Sequence, residues 1–531
     1  MTSAHVDTFV RDRLPPPSLQ PEFRLLDYPE RLNSAVALLD GIDPNMVAIA
    51  NDSVSWRYGE LHERSDAIAR VLVEQAGLVP GNRVLLRGAN TATMFAAWLG
   101  ILKAGGVVVA TMPILRAGEI ADIVARAAVS HAIVDSRCLA DFRTAQATCP
   151  TLRSTLVYDG DAGTGELEAR MAAVAPGFDA VATHRDDPAL IAFTSGTTGT
   201  PKGCIQYHRD ILAPADSFAR QVLAPRAGDR WLCSAPIAFT FGLGMQLIFP
   251  LRFGGTAVTL ENTTPSALID AVERMGVNIL ATAPTAYKAM LTGLTDVPRS
   301  LRTCVSAGEH LPANVWHAWR AATRLEIVDG IGATEMMHVF VSASGSDIRP
   351  GATGRAVPGY DVTVLDETNQ PMASGTGRLA VRGPTGCRYL DDEDRQQVYV
   401  VDGWNVTGDT YRRDEDGYFH FVARSDDMIV SSGYNIGAPE VENALCAHPA
   451  VRECAVIGAP CPDRGMKVKA FIVVAPGHEA GAALAKALQD HVKAQIAPYK
   501  YPREIVFLGA LPKTATGKIQ RSALRHPETQ P

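Results

Sequence analysis

No run of this sequence is apolar for long enough to cross a bilayer. A membrane-spanning helix takes about 20 predominantly apolar residues. The most apolar window, 235–251, is interrupted by Thr240, Gln246, two prolines and two glycines, so a buried segment of a globular core is expected there. Basic residues are not in excess. The 57 Asp and Glu against 50 Lys and Arg leave a net charge of −7, which argues against indiscriminate binding to nucleic acid or anionic membrane. Cysteine supplies no framework. The nine cysteines are an odd number without a C-x-x-C pair, so reduced thiols of a cytoplasmic protein are expected rather than a disulfide scaffold or a zinc site. The start, MTSAHVDTFVRDRLPPPSLQP, has no basic stretch followed by an apolar core, so no secretory signal is expected.

What is present can build a large core. Of 531 residues, 47% are hydrophobic, and a chain of this length is expected to form roughly two to four units. Strand-like runs alternate with helix-like ones through the first 360 residues. Examples are 266–275 (helix), 277–283 (strand), 301–307 (strand), 312–322 (helix) and 325–329 (strand). Such alternation predicts an α/β fold, parallel sheets covered by helices. The texture changes near Thr407, where TGDTYRRDEDGYFHF is charged and rich in turns. Beyond it, strands at 428–431, 455–458, 467–474 and 504–508 mix with helices at 439–447 and 481–496. That is enough for a small α+β domain. Two domains are therefore expected, 1–425 and 426–531, with a hinge in the short polar segment 425–427.

Residues 194–203 read T-S-G-T-T-G-T-P-K-G after the apolar run 189–193. Gly196, Gly199 and Gly203 let a ligand approach the main chain. Successive N–H groups in such a turn form an anion site, to which the hydroxyls add donors and Lys202 a point charge. With helical character from His208 onward, this loop is expected to bind phosphate at the carboxyl end of a strand. It is not a Walker A loop, because G-x-x-x-x-G-K-[ST] cannot be laid on it. A second loop of this composition, LPKTATGKIQR, occupies 511–521, and IGATEMMH occupies 331–338. There Glu335 beside Thr334 offers an oxygen ligand for Mg²⁺ next to a phosphate donor, and Asp409 in T-G-D offers a carboxylate to ribose hydroxyls. Taken singly, each of these residues is better explained by capping or salt bridging.

Together, TSGTTGTPKG (194–203), SAGEHLP (306–312), GIGATE (330–335), TGD (407–409), RSDDMI (424–429) and PKTATGK (512–518) resemble, in order and spacing, the adenylate-forming superfamily of acyl-CoA synthetases, peptide-synthetase adenylation domains and firefly luciferase. The resemblance implies a large N-terminal domain and a small, mobile C-terminal one. It implies attack of a carboxylate on the α-phosphate of ATP, release of pyrophosphate, and transfer of the acyl group from the acyl-adenylate to a thiol. By this resemblance Thr194, Ser195, Gly196, Thr197, Thr198, Gly199 and Lys202 hold the β- and γ-phosphates, and Thr334 bonds the α-phosphate. Glu335 helps hold Mg²⁺. Ala307, Gly308, Glu309, Asp329, Gly330 and Ile331 lie along the nucleotide, Asp409 takes the ribose hydroxyls and Arg424 the ribose side. Lys518 bridges the reacting carboxylate and the α-phosphate. Asp426 is the implied hinge, and Gly433 and Tyr434 border the thiol tunnel, where Asn435 stands in place of a lysine frequent in relatives.

GIGATEMMH, the GYNI turn and the short SAGEHLP look most like aryl-CoA ligases of the benzoate and 2-aminobenzoate group. Phe239, Ala307, Ile331, Gly332, Met337 and His338 fall where that group lines its acyl pocket. As isolated residues, Phe239, Met337 and His338 would be ordinary core. The uncharged PIAFTFG disfavours an amino-acid substrate, and with no carrier domain after Pro531 the expected acceptor is the diffusing thiol CoA. The expected enzyme is an ATP- and Mg²⁺-dependent aryl-acid:CoA ligase, a monomer or homodimer acting on a small aromatic carboxylic acid such as benzoate or 2-aminobenzoate. Loading of a separate carrier protein, a CoA ligase for another small acid, and a non-catalytic nucleotide-binding module are the alternatives.

Overall fold

Runs that are buried on both faces make the parallel strands. RVLLR (Arg83–Arg87), VVVAT (Val107–Thr111) and HAIVD (His131–Asp135) are buried at every position, as sheets covered on both sides require. The computed structural model describes residues 2–194, 201–294, 297–424, 428–431, 434–461, 465–513 and 519–525. The chain divides into two compact units. One comprises Met1–Val362 with Ala380–Val406, the other Thr363–Leu379 with Thr407–Pro531. The expected hinge at 425–427 lies outside the described residues.

Among the described residues, two sheets lie wholly within the first unit. One has nine strands, of which six run parallel side by side in the order Ile327–Gly332, Thr303–Ala307, Ile279–Thr282, Arg230–Cys233, Thr256–Val258 and Val47–Ala50. Antiparallel edges finish it, Val339–Ser342 with Arg355–Ala356 at one side and Ser55–Arg57 at the other. The second sheet has six strands in the order Ser154–Tyr158, His131–Asp135, Arg83–Arg87, Val107–Thr111, Pro188–Thr194 and Lys202–Tyr207. Only the last pairing is antiparallel.

The helices expected at 266–275 and 312–322 form at Pro265–Arg274 and Ala313–Thr323, so the α/β reading holds. The strand Lys202–Tyr207 was not anticipated. It intervenes before the helix His208–Pro214 and pairs antiparallel with Pro188–Thr194. The apolar window 235–251 is buried, as expected, through Thr240–Leu243, Gly244–Ile248 and Phe249–Arg252. Its polar Gln246 is fully buried but satisfied. It accepts from Asn90 Nδ2 at 2.9 Å and donates to the Val258 carbonyl at 3.0 Å.

The second unit carries a five-stranded sheet built on the long hairpin Val451–Cys461 and Gly465–Val474. Met428–Ser431 and Tyr434–Gly437 extend one side, and Glu504–Phe507 adds in parallel. Helices Ala438–Cys446 and Ala482–Gln495 cover one face through Val441, Leu445, Leu488 and Val492. The other face, with Ala455, Ile457 and Phe471, packs on Leu511 and Leu524. Alternation along the hairpin sends Cys454 and Val456 to the helices and Ala455 and Ile457 to the C-terminal segment, the period-2 pattern of a strand covered on both sides.

Candidate active site

The candidate residues of the first unit collect where its two sheets meet. Strand Thr303–Ala307 pairs with Ile327–Gly332 so that Ser306 lies beside Asp329 and Ala307 beside Gly330. Gly308 follows with φ +89°, a left-handed angle that glycine takes without strain. Carboxyl ends of neighbouring parallel strands are where open α/β sheets bind ligands. Asp329 is half-buried, and its Oδ1 is buried with no hydrogen bond. Burial pushes its carboxyl up to about 7, while the nearby Ser306 hydroxyl and Gly330 amide restrain the rise.

After Gly332 the chain makes a 3-10 turn, Thr334–Met336, and Met337 takes φ +65°. A methionine held in that region costs of order 1–3 kcal/mol, and such strain gathers at functional sites. The turn is fastened from three directions. Gln206 Nε2 donates to the Thr334 carbonyl at 2.9 Å, and Thr385 Oγ1 donates to the Met336 carbonyl at 2.8 Å. Tyr389 O–H donates to Glu335 Oε1 at 2.6 Å. Burial first, and the Glu335 charge second, push the Tyr389 phenol well above its ordinary range, so it stays a donor.

Lys202 opens the return strand opposite Thr194. Its Nζ lies 5.8 Å from the centre of the Tyr389 ring, within reach of a cation–π contact. Lys202 and Glu335 thus flank one tyrosine. Segment 388–390 runs beside the return strand, with Ile205 N–H donating to the Arg388 carbonyl and Leu390 N–H to the Gly203 carbonyl, each at 2.8 Å. Gln206, Thr385 and Tyr389 went unrecognised in the sequence because no motif surrounds them. They become visible only when the two sheets meet. Ser195, Gly196, Thr197, Thr198 and Gly199 lie outside the described residues.

Phe239 is half-buried and precedes the helix Thr240–Leu243. The loop before it is held by Asn90, whose Oδ1 accepts from Ile237 N–H at 3.0 Å. A Cβ at Gly242 would stand 2.2 Å from the Pro236 carbonyl oxygen, and one at Gly244 2.4 Å from His338 Cδ2, so both close approaches depend on glycine. Ala307, Met337 and His338 are buried, Ile331 is half-buried and Gly332 is exposed. His338 sits among Phe218, Phe241 and Phe249, with ring centres 5.6, 5.5 and 4.6 Å away. Its Nε2 is 3.3 Å from the Phe241 carbonyl, and its Nδ1 is buried without a partner.

Burial pushes His338 down to about 3, and His208, which meets Ser34 across the core, down to about 3 as well. Both rings are neutral at physiological pH. The unfolded chain protonates them near 6.5, whereas the folded chain resists until about 3. Their contribution to stability is therefore present above pH 6.5 and is lost as pH falls from there toward 3. We expect the urea midpoint to drop between pH 7.5 and 5. Replacing His338 by Phe should shrink that drop, and an unchanged drop would contradict the burial of the ring as its source.

In the second unit, Asp409 pairs in register with Arg424, and Arg424 Nε lies 3.4 Å from Asp409 Oδ1. Arg424 also crosses Gly408, where a Cβ would stand 3.0 Å from its Nη2. Tyr434 starts a strand paired to Met428–Ser431. Asp426, Gly433 and Lys518 lie outside the described residues, but both flanks of 514–518 are described. Lys513 bridges antiparallel to Ile519, and Gln520 N–H donates to the Pro512 carbonyl at 2.8 Å. Lys513 Nζ lies 2.8 Å from Glu453 Oε2, and Arg521 Nη2 lies 2.8 and 2.9 Å from the two oxygens of Glu442.

A hollow of about 360 Å³ lined by Arg302, Arg320 and Arg324 opens at the amino ends of strands Thr303–Ala307 and Ile327–Gly332. It lies at the end of the sheet away from the GIGATE turn and takes no part in this site.

The family model described as AMP-binding enzyme matches residues 41–388, and that of the AMP-binding enzyme C-terminal domain matches 440–518. The chain belongs to the AMP-binding enzymes. Among this member's relatives is the benzoate–CoA ligase of Thauera aromatica, 38% identical over 515 residues, covering 94% of this chain and 97% of the relative. Its fold matches that of the anthranilate CoA ligase AuaEII in complex with anthranoyl-AMP, with TM-score 0.88, 33% identity and coverage of 94% and 98% of the two chains. It also matches a benzoate CoA ligase from Burkholderia xenovorans, with TM-score 0.85, 32% identity and coverage of 93% and 99%. Among the described residues, no helix of this AMP-binding enzyme is long and apolar enough to cross a membrane.

Proposed function

We propose that this AMP-binding enzyme is an ATP-dependent aryl-acid:CoA ligase, joining a small aromatic carboxylic acid of the benzoate or 2-aminobenzoate kind to CoA. The observation that carries the reading is likeness along nearly the whole chain to ligases named for benzoate and anthranilate. The acid's carboxylate attacks the α-phosphorus of ATP, the bond to the pyrophosphate oxygen breaks, and acyl-AMP forms. The CoA sulfur then attacks the acyl carbon, the bond to the AMP oxygen breaks, and the thiol proton passes to solvent.

The first step brings two anions together, so its catalysis is charge neutralisation and positioning. Residues 194–199 with Lys202 hold the outgoing pyrophosphate, and Thr334 donates to the α-phosphate. Gly308 and Glu309 lie along the adenine, Ala307 and Asp329 to Ile331 along the nucleotide, and Asp409 and Arg424 take the ribose. Phe239, Ala307, Ile331, Gly332, Met337 and His338 form the acyl site. A neutral His338 offers a ring substituent a hydrogen-bonding nitrogen without a charge. Lys518 supplies the cation between the reacting groups, a task that suits a compact ammonium with three donors. It lies in a mobile domain, 426–531, that turns about 425–427, after which Gly433 and Tyr434 border the incoming thiol.

A single half-buried carboxylate, separated from Lys202 by one tyrosine ring, suits Mg²⁺, which binds through one or two carboxylates and takes other ligands from substrate phosphates. Glu335 would hold the ion, which when bound neutralises phosphate charge. Tyr389, as a positioning residue, fixes the rotamer of Glu335. We expect Tyr389→Phe to raise the Mg²⁺ concentration for half-maximal pyrophosphate release about tenfold, near the low end of the ~1.5–3 kcal/mol of a hydrogen bond to a charged group. Loss of turnover at saturating Mg²⁺ with an unchanged metal requirement would exclude this role.

The function is tested by pyrophosphate release with benzoate, 2-aminobenzoate, a medium-chain fatty acid and phenylalanine, each with and without CoA. Sustained turnover confined to the aromatic acids and dependent on CoA is expected. Turnover led by the fatty acid or phenylalanine, or an aryl-acid burst indifferent to CoA, would overturn the reading.

A further inference from the structure

The nine cysteines play no part in the chemistry above, yet two of them meet. Cys446 ends the helix Ala438–Cys446, Cys454 lies on the strand Val451–Cys461, and their sulfurs are 3.4 Å apart. A disulfide needs about 2.05 Å between sulfurs, so an approach of roughly 1.3 Å would close the bond. The two differ in access. Cys454 is 5% exposed inside the helix-covered core, whereas Cys446 is only partly buried at its edge. Exposure decides which thiol an oxidant in solution meets first. Cys204 and Cys387 also interact, but both are fully buried.

We propose that Cys446 and Cys454 are an oxidative modification site at which a hydroperoxide closes an intramolecular disulfide. Cys446, as thiolate, attacks a peroxide oxygen. The O–O bond breaks, the departing oxygen takes a proton to leave as water or alcohol, and Cys446 becomes a sulfenic acid. Cys454 sulfur then attacks the Cys446 sulfur. The S–O bond breaks, the oxygen leaves as water with the Cys454 proton, and the S–S bond forms. The two sulfurs are oxidised together by two electrons and the peroxide is reduced by two. A buried partner 3.4 Å away captures the sulfenic acid before a second peroxide reaches it.

The site also reaches Lys513 and Arg521, on either side of 514–518, and this part rests on the function proposed above. Glu442 is one helical turn before Cys446, its carbonyl is 3.5 Å from Cys454 Sγ, and its carboxylate holds Arg521. Glu453, next to Cys454, holds Lys513. Drawing the sulfurs together therefore shifts the two carboxylates that fasten either side of 514–518, and adenylation slows.

The test is limited hydrogen peroxide on the full chain, followed by intact mass and peptide mapping without reductant. We expect a species lighter by two hydrogen atoms, with one linkage, Cys446 to Cys454, reversed by dithiothreitol. It should be absent from Cys446→Ser and from Cys454→Ala, the latter chosen because it stays apolar in the core. Oxygen addition at Cys446 without linkage, or linkage among the other seven cysteines, would overturn the site. In the fully bridged protein, pyrophosphate release should fall at least twofold and recover on reduction, with no such change in Cys446→Ser. Unchanged release from the bridged protein would overturn the coupling to 514–518 while leaving the linkage to be judged by the mapping alone. A protein inactive before any oxidation would count against the proposed function and not against the thiols.

Discussion

Lys518→Ala should lose pyrophosphate release by two to three orders of magnitude or more, yet still convert a supplied acyl-adenylate and CoA into thioester. The asymmetry follows from where charge sits. Adenylation brings a carboxylate against a phosphate, and removing one positioned donor from such a centre costs about 10²–10³ in rate, roughly 2.7–4 kcal/mol. Thiolation starts from a neutral acyl carbon and needs no cation between two anions. Lys513 and Ile519, on either side of 514–518, bridge to each other, and ion pairs tie Lys513 to Glu453 on the strand Val451–Cys461 and Arg521 to Glu442 on the helix Ala438–Cys446. Lys518→Arg is the companion variant. It keeps the charge but not the compact head, so it should recover only part of the rate. The measurement is single-turnover formation of acyl-AMP and, separately, of acyl-CoA from acyl-AMP. Equal losses in both half-reactions would mean that the lysine serves the domain rather than the first step.

The sequence legibility of this enzyme divides along physical lines. Parallel strands were readable because burial on both faces demands continuous apolar runs, and the helices at 265–274 and 313–323 because they are amphipathic at helical spacing. Local motifs were readable too. GIGATE does end a parallel strand, and Glu335 does meet Tyr389, whose ring lies 5.8 Å from Lys202 Nζ. The strand Lys202–Tyr207 was missed because proline and lysine open it, and its partner, Pro188–Thr194, is supplied across a loop that reads as a ligand cradle. Gln206, Thr385 and Tyr389 were illegible for a different reason. Each acts on the Thr334–Met336 turn from far along the chain, and nothing in one sequence says which polar residue will reach which carbonyl. His338 is intermediate. Its place in the motif was visible, but its aromatic surroundings at Phe218, Phe241 and Phe249 depend on tertiary packing.

Asp210→Ala should destabilise the first unit by about 3–5 kcal/mol, the usual cost of leaving one member of a buried ion pair alone. Arg388 and Asp210 are both fully buried, with Nη1 2.8 Å from Oδ2. The guanidinium lies between the rings of Tyr207 and Phe23, at 4.0 and 4.5 Å, and its Nε and Nη2 are buried without hydrogen bonds. Burial works against its charge, but the Asp210 carboxylate outweighs that and holds the arginine above its ordinary value. Without Asp210 that charge keeps only the two rings and a hydrogen bond of 3.5 Å to the Gly386 carbonyl. Arg388→Leu should cost less, because Asp210 still accepts from the Tyr207 N–H at 2.9 Å. The double variant should be more stable than Asp210→Ala alone, since it removes the stranded charge. Urea unfolding of the three variants measures this, and a cost below ~1 kcal/mol for Asp210→Ala would put the pair in the range of surface bridges. The stakes are functional as well as structural. Arg388 directly precedes Tyr389, and its carbonyl accepts the Ile205 N–H of the strand that carries Lys202 and Gln206. A milder lesion, Arg388→Leu, should therefore also raise the Mg²⁺ requirement, as Tyr389→Phe does, because the hydroxyl that steadies Glu335 hangs from the residue next to the buried pair.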